Sequence, residues 1–302
     1  MMKRSLIAAV LGLAVAAAPA TAQELTGTLK KIKETGTITI GHRDSSIPFS
    51  YYDDKQQVVG YAMDLCYRIV DAVKAELKLP DLKVVLNPVT SATRIPLMAN
   101  GTIDLECGST TNNLERQKQV GFTITHFVTA NRFVSKKANN LKTLADLKGK
   151  TIVSTSGTAN IKQINQINAE QNLGMTILAA KDHAEAFLMV ETDRAVAFVM
   201  DDILLYSLAA SSKAPKDYVI SAEALSVEPY GIMLRRDDPE FKAVVDKAMV
   251  ETYKSGAIEP IYKKWFETAI PPRGVTLDVP LGEVFAKVIA NPTDSGNPAD
   301  YK

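Results

Sequence analysis

Residues 195–202 read Ala195-Val196-Ala197-Phe198-Val199-Met200-Asp201-Asp202. Six apolar residues in a row, too few for a helix of ordinary length, describe a strand covered on both faces, and such strands belong to sheets flanked by helices. Two carboxylates end the run, and the helical pattern that follows continues to about residue 212. The same strand, polar end and helix recur outward from this point. Residues 151–153 form a strand, residues 154–158 a turn of small residues, and a helix then runs to about residue 172. Residues 175–180 form a strand, and Asp182 caps a helix over 184–191. Towards the N-terminus, residues 38–40 lead into Gly41-His42-Arg43, and residues 61–77 carry Ala62, Leu65, Cys66, Ile69, Val70, Val73 and Leu77 at helical spacing. Strands at 82–89 and 103–107 enclose a short helix after Thr93, and Thr111-Asn112-Asn113 offer caps for a helix over 114–120. Residues 230–234 read as a last strand, Pro239 opens a helix, and the Pro- and Gly-rich tail after Ile270 holds one more helix at 281–289. Asp53-Asp54 and Asp237-Asp238 read as solvated turns. Alternation of this kind is an α/β fold.

The chain has 302 residues, which suits one large or two medium domains. With 46% hydrophobic and 23% charged residues it is ordinary globular material rather than disordered or coiled coil. Lys3 and Arg4, the run over residues 6–18 and Ala20-Thr21-Ala22 form a secretory leader with cleavage after Ala22. Removing its two basic residues turns 35 basic against 34 acidic into 33 against 34, a near-neutral protein with no footprint for nucleic acid. No later stretch approaches the 18 apolar residues of a membrane span, so the product is expected to be exported and soluble. In that oxidising compartment the two cysteines, Cys66 on the core face of a helix and Cys107 at a strand end, are able to pair.

Polar residues gather at four strand ends: Arg43, then Ser109 and Thr111, then residues 155–158, then Asp201. In open α/β sheets ligands bind beyond the carboxyl ends of strands, and small residues at a helix N-terminus favour an anion. Catalysis has little support. There is no G-x-S-x-G, no H-E-x-x-H and no His, Cys and acid cluster at metal-ligand spacing, so no cofactor is expected.

Several stretches resemble the periplasmic solute-binding proteins for polar amino acids: 41–51 (GHRDSSIPFSY), 59–65 (VGYAMDL), 106–116 (ECGSTTNNLER), 155–158 (TSGT), 194–202 (RAVAFVMDD) and 262–266 (YKKWF). The likeness covers nearly the whole mature chain and is strongest for the glutamate- and aspartate-binding branch that serves ABC importers. It implies a two-lobed α/β fold, each lobe a mainly parallel sheet flanked by helices, joined by two crossover strands. The lobes would be 24–128 plus 231–302 and 133–226, with hinges near 129–132 and 227–230. It implies a monomer that delivers L-glutamate or L-aspartate to a membrane permease.

Site residues carry over by position. Arg116 matches the arginine that forks onto the α-carboxylate, a pairing that suits a planar guanidinium; the alternative is a surface arginine paired with Glu115. Ser109, Thr111 and Thr158 match hydroxyl or backbone donors, and Asp201 matches the acid for the ammonium. Arg43, and Arg94 with Ser91, match the side-chain end of the site, and His183 either lines its far wall or is a surface residue beside a cap. Three arginines against Asp201 would leave a positive excess suited to two carboxylates and one ammonium. The competing reading is a dehydratase-like enzyme on the same fold, acting on a small carboxylic acid; it needs a further acid in the cleft, and no clear candidate stands out.

Overall fold

The computed structural model describes residues 24–301, so the leader and its cleavage site lie outside the described residues. Two sheets organise the molecule. The first runs Lys83–Pro88, Thr37–His42, Leu105–Cys107, Met233–Leu234, Gly121–Phe122. Its first three strands are mutually parallel, and Met233–Leu234 runs antiparallel to both of its neighbours. The second runs Thr176–Ala180, Thr151–Thr155, Ala197–Asp201, Phe127–Lys136, Tyr218–Ile220. Ala197–Asp201 sits between two neighbours with all five residues buried, as an unbroken apolar run demands. This is a two-lobed α/β architecture, each sheet parallel at its core and flanked by helices.

Phe127–Lys136 is longer than the other strands because it serves three partners, one of them Tyr218–Ile220 opposite residues 134–136. Residues 131–135 pair with Ala197–Asp201, while residues 127–131 pair antiparallel with Ser226–Tyr230, setting Val128 opposite Pro229 and Thr129 opposite Glu228. The chain leaves the first sheet through this strand and returns to it through Ser226–Tyr230. Residues 230–234 are therefore two short strands rather than one: Tyr230 ends the first, and the chain changes sheets before Met233–Leu234. The helix expected over 114–120 is a single 3-10 turn, Arg116–Lys118. Only four residues lie between Arg116 and the strand at Gly121, and Gln117 Nε2 is held by Asn112 Oδ1 and the Asp294 carbonyl.

Tyr61–Leu77 buries the apolar face that its spacing describes, and Cys66 on that face is bonded to Cys107 in the central strand of the first sheet. Asp53 holds a turn by accepting from the Lys55 and Gln57 amides. Asp238 is not in a solvated turn. It is buried, accepts from the Phe241 amide at the start of Pro239–Lys254, and accepts from the Thr28 amide at 2.7 Å. Behind the crossover strands stands an aromatic cluster in which Phe49 meets Tyr230 at 5.2 Å and Phe127 meets Phe266 at 4.9 Å between ring centres. It gives Tyr230 a fixed ring from which its hydroxyl projects. Among the described residues no helix is long and apolar enough to cross a membrane.

Candidate functional site

The polar strand ends converge. A tightly closed polar pocket is lined from the first sheet by Ser91, Arg94, Ser109 and Thr111. From the second it is lined by Thr158, Asn160, His183 and Asp201. Arg43 and Arg116 are fixed to this lining: Arg43 Nη2 donates to Ser91 Oγ at 2.8 Å, and Arg116 Nη1 donates to the Thr111 carbonyl at 2.8 Å. Every residue carried over by resemblance therefore lies in one cluster. Local chain geometry explains the placements. Thr158 caps Ala159–Glu170 by accepting from the Ile161 amide, and His183 opens the helix that Asp182 caps. Gly157 has φ +76°, and a Cβ there would stand 2.5 Å from Ala92 Cα, so only glycine lets this turn abut residues 91 and 92 across the cleft. Arg116 Nη2 reaches the Gly157 carbonyl at 3.3 Å across the same seam.

Burial sets the electrostatics. Arg43 is lowered to about 10, by burial first and Arg94 second, and Arg116 is lowered to about 10 for the same reasons. Both remain cations at neutral pH. His183 is 1% exposed, and burial with Arg43 and Arg94 nearby holds its pKa well below the ordinary value, so it is a neutral ring. Its Nδ1 lies 2.8 Å from Thr155 Oγ1. Asp201 is pushed up by burial and by the charge of Glu228, although Tyr230 and Asn160 both donate to it, Asn160 at 2.7 Å. Four buried polar atoms of the cluster have no partner: Arg43 Nη1, Arg94 Nε, Ser109 Oγ and His183 Nε2. Unsatisfied buried groups are rare in folded proteins, and their concentration at one cavity marks a place for a polar ligand. Among the described residues no group of three or more His, Cys, Asp or Glu could hold a metal ion.

One alternative falls and one expectation changes. Arg116 is not a surface residue paired with Glu115; Glu115 pairs across the seam with Lys162, and Arg116 is 7% exposed. The positive excess is not three against one, and the cleft does hold further acids. Glu106 is fully buried beside Arg94, with Oε1 3.7 Å from Arg94 Nη1, and Glu228 is 1% exposed and bonded to Gln163. Three buried carboxylates thus face three buried arginines. What survives is narrower: among the described residues, neither Arg43 nor Arg116 forms an ion pair with a carboxylate.

Sequence reasoning missed Glu106, Glu228, Asn160 and Tyr230. Glu106 and Glu228 sit in Leu-Glu-Cys and Val-Glu-Pro, where alternation reads the acid as solvent-facing. For Glu106 the usable signal was position: a charge inside a central strand of a sheet covered on both faces has no water to turn to and must be paired; Glu228 lies on a crossover strand with a single strand partner and offered no such signal.

A polar cavity closed between two α/β lobes at their strand ends, with buried arginines that no carboxylate pairs among the described residues, suits a receptor for a small polar solute. The chain belongs to the bacterial extracellular solute-binding proteins, family 3, whose pattern residues 38–268 match. It is similar to the L-glutamate/L-aspartate-binding protein of Pseudomonas aeruginosa, 54% identical over 291 residues and 96% of each chain. It is also 45% identical to the glutamate/aspartate import solute-binding protein of Escherichia coli, over 97% of this chain and 99% of that one. Among solved structures, an ancestral arginine-binding protein bound to arginine matches with a TM-score of 0.69 and 29% identity, over 76% of this chain and 98% of that chain. These relatives bind solutes, and the dehydratase-like alternative finds no support among them.

Proposed function

We propose that this protein is a periplasmic receptor that binds L-glutamate or L-aspartate between its lobes and delivers it to the permease of an ABC importer. The observation that carries the reading is the pair of buried arginines without ion-pair partners, Arg43 and Arg116, gathered at one cavity whose lining includes the carboxylate of Asp201, while Glu106 and Glu228 lie behind that lining. An amino acid with two carboxylates and one ammonium is the ligand that pairs all three. Arg116 takes the α-carboxylate bidentately, with donors from Ser109, Thr111 and Thr158. Asp201 takes the ammonium. Arg43, with Ser91, Arg94 and neutral His183, takes the distal carboxylate. The names of the relatives, glutamate/aspartate binding and import, support the same ligand.

Residues 24–128 plus 231–302 form one lobe and 133–226 the other. They rotate about 129–132 and 227–230, where the two crossover strands pair and few residues need to change backbone angles. The chain is exported by the leader, cleaved after Ala22, and works as a monomer without a cofactor. Equilibrium dialysis against glutamate, followed by analysis of the bound material, tests the reading. Recovery of bound, chemically unchanged glutamate is the expected result; conversion to another compound or absence of binding would refute it.

A further inference from the structure

Glu106 belongs to Leu105–Cys107, an interior strand with the parallel strand Thr37–His42 on one side and Met233–Leu234 on the other, and its side chain is fully buried. An isolated charge at such a place is strongly disfavoured, and its retention calls for a counter-charge. The surroundings supply one. Glu106 Oε2 accepts from the Thr110 hydroxyl, and Thr110 Oγ1 in turn accepts from Arg94 Nη1. Glu106 Oε1 lies 3.7 Å from Arg94 Nη1 and has no hydrogen bond of its own. Gly108 allows a second approach: a Cβ there would stand 2.4 Å from Glu106 Oε1 and 2.9 Å from Arg43 Cγ, so both groups close on this glycine, and the Glu106 charge acts on the Arg43 guanidinium as well. One acid thus sits between the two arginines assigned above to the ligand's side chain.

We infer that Glu106 is a specificity-determining residue that never touches the ligand: it cancels one of two guanidinium charges at the side-chain end, leaving one net positive charge to match one distal carboxylate. The inference rests on the glutamate/aspartate reading of the cavity. Without Glu106 the end would carry two cations, the discrimination between an acid and its amide would sharpen, and the free protein would hold an uncompensated buried charge. With it, Arg94 is a neutralised donor, and Arg43 carries the charge that distinguishes glutamate from glutamine.

Glu106→Gln tests this because the amide keeps the shape and still accepts from Thr110 while losing the charge. The readout is the ratio of the glutamine and glutamate dissociation constants, measured calorimetrically at fixed salt in the full mature chain. We expect the ratio to rise about tenfold or more over wild type, a change of about 1.4 kcal/mol. A companion variant, Thr110→Val, removes the bridging hydroxyl and keeps all charges; it should weaken both ligands together and leave the ratio within about threefold. If Glu106→Gln weakens both ligands equally, or lowers the ratio, Glu106 is a structural or arginine-orienting group and the inference falls. If Glu106→Gln does not fold, a large shift of the ratio in Thr110→Val overturns it alone. Wild type that binds no glutamate refutes the function instead, so the two failures are distinct.

Discussion

The two walls of the cavity are built from opposite materials. The wall from the first sheet is cationic, its arginines held by carbonyls and hydroxyls: Arg94 and Arg116 donate to the Ser109 and Thr111 carbonyls, and Arg43 donates to Ser91 Oγ. The wall from the second sheet is acidic and tied to side chains: Asp201 accepts from Asn160 and Tyr230, and His183 stands neutral against Thr155. Few contacts join the walls themselves. Arg116 reaches Gly157, and Lys162 pairs with Glu115 where both are about 60% exposed and worth little. A ligand that carries both signs of charge can therefore join them, which ties recognition to closure of the lobes.

The largest effect expected from this contrast lies outside the cavity. Cys66–Cys107 braces only the cationic side, across 41 residues of chain. In the loop-entropy picture, Cys66→Ser together with Cys107→Ser should lower unfolding stability by about 4 kcal/mol. Denaturant unfolding reads that loss, and glutamate affinity at low temperature should hardly change. A large affinity loss would mean that the bridge positions the arginines.

Next comes Arg116→Ala. It removes the clamp for the α-carboxylate, which every amino acid shares, so titration calorimetry should find all ligands weakened together by about 2–5 kcal/mol. Arg43→Ala should separate the ligands, with glutamate losing about 2 kcal/mol or more and glutamine distinctly less. Equal losses would reduce Arg43 to a structural role. Arg94→Ala is a less clean probe, because it strands Glu106 as well as removing a donor.

The smallest effect is on pH. Asp201 has a raised pKa in the free protein, from burial and Glu228. An ammonium beside it favours the carboxylate and lowers that pKa, so binding releases a proton. Affinity should fall as pH falls through the raised pKa of the free protein and level off above it. His183 does not supply this dependence, because its pKa is displaced far below the ordinary histidine value and it stays neutral throughout. Asp201→Asn should flatten the profile, and a profile left unchanged would break the assignment of the ammonium to that side.

Much of this was legible in the sequence because the signals are local. The apolar run at 195–200 could only be a covered strand, and Arg43, Ser109, Thr158 and Asp201 follow strands directly. Their convergence follows from topology, since parallel strands put their carboxyl ends on one edge. The charge balance was not legible. Glu106 and Glu228 look like outward residues of alternating strands, and only the packing of distant segments over their side chains buries them. Tyr230 was hidden for a similar reason: its ring belongs to the aromatic cluster and only its hydroxyl reaches Asp201, 29 residues away in sequence. A sequence reports which side chains end a strand, whereas the net charge of an interior depends on contacts between distant segments.

The central claim is that the cavity is matched to one ammonium and two carboxylates. Titration of the mature protein with glutamate, aspartate, glutamine and lysine, at one pH and one ionic strength, tests it most directly. Saturable binding of glutamate or aspartate, with glutamine far weaker and lysine absent, is the result this account requires. Tight binding of glutamine or lysine with no binding of glutamate or aspartate would contradict it.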